Sequence, residues 1–109
     1  MSRVLVAFFV LAFASPALAV DDIEKILAKA DPGYGEYLAG ECVTCHHQAG
    51  KDKGIPAIQG LDAETLVTIL YAYKNKELEN KVMQIAAGRL DDEQMASLAV
   101  YFAALPPLE

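Results

Sequence analysis

Cys42-Val43-Thr44-Cys45-His46 constrains this chain more than any other stretch, because it gathers the only two cysteines and one of the only two histidines into five residues. Cys-x-x-Cys-His is the spacing at which a haem is joined through two thioethers and ligated by the adjoining imidazole. Two thiols three positions apart on one helical turn reach one porphyrin edge, and the next side chain then lies under the metal. Covalent attachment and proximal ligation would thus come from Cys42, Cys45 and His46.

Other chemistries use parts of this pattern. A thioredoxin-like dithiol sits in a βαβ setting, and no alternating or Val/Ile-rich strand pattern occurs here. A structural zinc site wants four ligands, commonly from two such pairs. One pair beside the neighbouring His46 and His47 makes a poor tetrahedron. A plain disulfide leaves the following histidine unexplained.

Residues 1–19 read as a cleaved secretory signal: Arg3 supplies the positive end, an uncharged run begins at Val4, and Ala17-Leu18-Ala19 fits small-x-small cleavage after Ala19. The run falls short of the roughly 20 residues that span a bilayer, so an uncleaved anchor is the lesser alternative. Export predicts a periplasmic protein with no stable membrane anchor. Residues 20–109 then form a single domain of roughly 90 residues, a size at which a side-chain core alone is marginal. The chain carries a net charge of −6. Nucleic acid is therefore excluded as a partner, since phosphate neutralisation needs a basic face.

Every plausible element of the domain is helical, which predicts an all-α fold wrapped around one haem. Asp21 to Ala30 suggests a short leading helix or a loosely held arm, ended by Asp31-Pro32-Gly33. A second helix runs from about Gly33 into the motif, with Tyr37 and Leu38 facing inward. Gln48 to Gly60 reads as a loop. Asp62 caps a helix to about Lys74 whose buried stripe is Leu66, Ile69, Leu70 and Tyr73. The last helix has Asp91 as N-cap, Gln94 as capping-box partner and Leu90 with Met95 as hydrophobic staple, and buries Met95, Leu98, Ala99, Phe102 and Leu105.

The ligand opposite His46 decides what an iron here can do. His47 shares the backbone of His46 and cannot cross the ring, which leaves it facing solvent or bonding its own loop. Met95 lies in phase with Leu98, Ala99 and Phe102 and reads as core. Met83 falls in an irregular stretch that can fold over the far face, which selects Met83 as the second axial ligand beside His46. The alternative is a short apolar turn of Val82, Met83 and Ile85, with the iron open or bound by a lysine such as Lys81. A thioether opposite imidazole favours ferrous iron, and a filled coordination sphere suits electron transfer.

Cys42 to His46, Gly54-Ile55-Pro56, Gly60-Leu61, Tyr73-Lys74, Met83, and Leu90-Asp91-Asp92-Glu93 leading to Leu98-Ala99-Val100-Tyr101-Phe102 together resemble a small class I, one-haem c-type cytochrome. The resemblance spans about Gly35 to Leu105. More narrowly, the spacing resembles the cytochrome subunit of flavocytochrome c sulfide dehydrogenases. It implies the small cytochrome c fold, one covalently bound haem c, and a Pro56 carbonyl offered to His46. It also implies that Gly33 or Gly35, with Tyr37, packs on Tyr101 where the first and last helices cross. The activity implied is periplasmic electron transfer, with electrons accepted from an FAD-containing sulfide-oxidising subunit. Such a chain is no enzyme by itself. The alternative is a free shuttle between a quinol-oxidising complex and a terminal oxidase or reductase. Lysines 51, 53, 74, 76 and 81 would form a basic rim for steering redox proteins.

Overall fold

The computed structural model describes residues 4–10 and 18–109, so Arg3 and Ala17 of the expected signal lie outside the described residues. Residues 4–10 are non-helical and exposed, with Phe9 91% accessible. No helix among the described residues is long and apolar enough to cross a membrane.

The fold is all-α. Among the described residues it comprises α1 (Val20–Leu27), α2 (Pro32–Cys42), α3 (Gln48–Lys51), α4 (Ala63–Lys74), α5 (Lys81–Gly88) and α6 (Asp92–Ala103), with no strand. α6 is the hub, and α1, α2 and α4 all pack on it. Its start is fixed by the expected capping box, in which Asp91 accepts from the Gln94 amide and Gln94 accepts from the Asp91 amide. Both orphan donors are satisfied locally, so the helix begins where its apolar stripe begins. That stripe buries Met95, Ala96, Leu98, Ala99 and Phe102. Leu105 lies beyond the helix end and is only half-buried.

The closest crossing is that of α2 over α6, and Gly35 makes it. A Cβ at Gly35 would stand 2.0 Å from the Ser97 carbonyl oxygen and 2.8 Å from the Tyr101 Cβ. Only hydrogen fits there. Two polar links tie the same crossing: the Asp31 amide donates to the buried Ser97 hydroxyl at 3.0 Å, and Gln94 Nε2 donates to the Tyr34 hydroxyl at 3.1 Å. Tyr37 does not face inward as expected. It is 81% exposed and stacks on Tyr34 with ring centroids 6.4 Å apart. The inward side of α2 is set by buried Gly35 and Ala39, one turn apart, and at 100° per residue Tyr37 falls on the far side.

α1 is a docked helix rather than an arm, burying Ile26 against the core and packing on α4 and α6. α4 is capped by Asp62, which accepts from the Thr65 amide at 2.9 Å and the Thr65 hydroxyl at 2.6 Å. Those bonds, hydroxyl first, hold the Asp62 carboxyl below its ordinary range. Its buried residues are Leu66 and Val67, whereas Ile69, Leu70 and Tyr73 of the expected stripe are half-buried. Gln48 to Gly60 is not wholly loop, because α3 contributes one helical turn to it.

Candidate functional site

Cys42 is the last residue of α2, and the chain turns tightly from it: the His46 amide donates to the Cys42 carbonyl at 2.9 Å and the Cys45 amide donates to it at 3.2 Å. The Thr44 hydroxyl donates back to the Gly40 carbonyl at 3.2 Å. Both cysteines are free thiols, Cys42 half-buried against the core and Cys45 exposed. Burial, and then neighbouring Glu41, push the Cys42 thiol above its ordinary value of 9.0. On the chain before any covalent modification, iodoacetamide is expected to alkylate Cys45 well ahead of Cys42, as peptide mass mapping would resolve. Equal rates at neutral pH would contradict this difference in burial.

His46 is half-buried, and its Nδ1 lies 2.7 Å from the Pro56 carbonyl oxygen. A carbonyl only accepts, so Nδ1 carries the proton and donates it. The neutral ring then presents its lone pair on Nε2. The contact implied for Pro56 is therefore present. It fixes both the tautomer and the plane of the ring, as partners of metal-binding histidines generally do.

The neighbouring His47 has a different task. Its Nδ1 accepts the Gly50 amide at 3.1 Å and so caps α3, which is the loop-bonding role expected of it. This cap folds α3 back onto the motif so closely that a Cβ at Gly50 would stand 2.1 Å from the Cys45 carbonyl oxygen. The Gly50 carbonyl then accepts from the Ile55 amide at 2.9 Å, which brings the following loop, with Pro56, to His46. Motif, α3 and the Pro56 loop form one hydrogen-bonded unit.

Met83 is not in irregular chain. It stands in the first turn of α5, half-buried, with its amide donating to the Asn80 side chain at 3.0 Å. The signal for that helix was readable in Asn80, an N-cap residue three positions ahead of Met83. A helix of only eight residues makes such a signal easy to pass over. Met95 is fully buried in α6, in keeping with a core role. α2, carrying Cys42, and α5, carrying Met83, have no extensive packing on each other; they are joined through α6 and α4.

Two of the five lysines expected at the rim are tied to backbone: Lys51 donates to the Glu109 carbonyl at 3.1 Å, and Lys74 to the Leu90 carbonyl. Lys53, Lys76 and Lys81 are exposed, the last two lining a cleft of about 260 Å³ with Gln84 and Ile85. A second cleft of about 550 Å³ is charged, lined by Lys29, Lys74, Asp91, Asp92 and Glu93. Cys42, Cys45 and His46 line neither.

The donor set, two thiols and one oriented imidazole, is short of a bare-ion site. Among the described residues no three His, Cys, Asp or Glu side chains gather as a metal-ligand group. No protein-family model matches this chain, and a search of the curated proteins finds no match either.

Proposed function

We propose that this chain is a one-haem c-type cytochrome that transfers electrons in the periplasm. The observation that supports the reading is the Pro56 carbonyl on His46 Nδ1 at 2.7 Å, which leaves the Nε2 lone pair free to ligate, immediately after two free thiols. Haem, when bound, supplies reversible one-electron exchange at its iron. Cys42 and Cys45 would hold the porphyrin covalently, and His46 would ligate its iron with its rotation restrained by Pro56. Met83 would supply the second ligand, a thioether. Ile55, Ile58, Ile69, Leu70 and Tyr73, all half-buried, offer apolar side chains from the segments that flank the motif and face α5.

The narrower reading is that of the electron-accepting subunit of a flavoprotein sulfide dehydrogenase, inactive alone. It rests on sequence spacing, and the same site would serve a free shuttle. Expression in a host able to attach haem outside the cytoplasm tests the broad reading: a sharp reduced α-band of thioether-linked haem is expected, and a colourless protein would overturn it. Purification from the native cells tests the narrow one. A flavin-bearing partner that stays bound through size exclusion favours the subunit, and a chain that elutes alone favours the shuttle.

A further inference from the structure

α5 is too short to hold its own first turn. Eight-residue helices are unstable in isolation, and the one residue this helix buries, Ala87, lies in its last turn. The turn that carries Met83 is tied by a hydrogen-bonded bridge back to α4, on which α5 also packs. After Lys76, which takes the left-handed conformation at φ +60°, the amides of Glu77 and Leu78 both donate to the Ala72 carbonyl, at 2.8 and 3.3 Å. Leu78 is then gripped from its other side, because its carbonyl accepts Gln84 Nε2 at 2.9 Å. Asn80 completes the link by accepting the Met83 amide on its side chain at 3.0 Å and the Gln84 amide on its carbonyl at 2.9 Å. The path from the end of α4 to Met83 therefore runs through Leu78, with Gln84 and Asn80 as its two side-chain ties.

Resting on the proposed haem site, we propose that Asn80 and Gln84 are positioning residues that keep the Met83 thioether on the iron. Neither would itself ligate the iron. A left-handed lysine costs conformational energy that a glycine would not, and here it fixes the exit from α4 so that Leu78 meets Gln84. Loss of either tie frees the first turn of α5 and raises the fraction of time the sulfur is away. One side-chain cap is worth roughly a fivefold shift in such an equilibrium.

The test uses the haem-loaded protein, with the ferric methionine-to-iron charge-transfer band and the rate of carbon monoxide uptake by the ferrous form as readouts. Asn80→Ala and Gln84→Ala are each expected to speed uptake roughly fivefold while lowering the band only slightly, the double variant more than either. Asn80→Ser retains an acceptor and is expected to restore both readouts. Asp91→Ala removes a comparable cap from α6; it should lower thermal stability yet leave band and uptake unchanged. Wild-type band and uptake in both Asn80→Ala and Gln84→Ala would overturn the inference, as would an equal loss in Asp91→Ala. A parent protein with attached haem but no methionine band removes the Met83 assignment and this inference with it. A parent without haem removes the proposed function itself.

Discussion

With haem bound as proposed, Met83→Ala is expected to turn slow carbon monoxide uptake by the ferrous form into immediate binding, an increase of orders of magnitude rather than a small factor. The reason is occupancy: a sixth ligand must leave before a gas can enter, and alanine offers none. The two methionines of the domain provide the control. Met95 is fully buried on α6, so Met95→Ala opens a cavity and is expected to remove about 2–5 kcal/mol of stability, leaving the iron spectrum of the folded protein unaltered. Met83 is half-buried at the start of a short helix, so its truncation should cost less packing energy. Carbon monoxide flash photolysis and thermal unfolding of the same two variants separate the roles. Rapid gas binding by the parent protein, or by Met95→Ala alone, would reverse the assignment.

Gly35→Ala is expected to be among the most damaging single-methyl changes in the fold. The obstruction is the Ser97 backbone carbonyl, 2.0 Å from the new carbon. No side-chain rotation can relieve it, so α2 must lift from α6. Overpacking in a well-filled interior typically costs about 1–3 kcal/mol and occasionally more. A backbone obstacle places this variant at or above the upper end, a large share of the roughly 5–15 kcal/mol that holds an ordinary domain together. Displacement would also stretch the Asp31–Ser97 and Gln94–Tyr34 links, and because Cys42 ends α2, the motif would move with the helix. Gly33→Ala provides the comparison. Its added carbon meets nothing nearer than Asp31 Oδ1 at 3.3 Å, so its melting temperature should stay much closer to that of the parent. Equal melting temperatures for the two variants would contradict this crossing.

Most of the scaffold was legible because its signals are local. Asp62 and Asp91 announce their helices through bonds made within three residues, and the 3–4 spacing of Leu98, Ala99 and Phe102 needs no knowledge of the partner surface. What the chain did not disclose depends on long-range approach. The sequence left Gly33 and Gly35 equivalent, and only the position of Ser97 distinguishes them. Tyr37 reads from the sequence as facing inward, yet the inward side of α2 is set by Gly35 and Ala39, and Tyr37 falls opposite them.

The candidate site divides in the same way. Cys42, Cys45 and His46 lie within five residues, so their mutual geometry follows from one turn of chain. Met83 is separated from them by two helices, and its helical setting emerged only with the structure. Asn80 carries a readable cap signal. Gln84 carries none, because its partner is a backbone carbonyl six residues earlier.

The most direct measurement is the intact mass, under denaturing conditions, of the protein produced in a haem-attaching host, alongside a variant in which Cys42 and Cys45 are both serine. Covalent attachment predicts a parent heavier than its mature polypeptide by one haem, with the added mass retained on acid extraction, and a double variant at the mass of its amino acids alone. A parent chain that matches its bare polypeptide after maturation in a haem-attaching host would contradict the account.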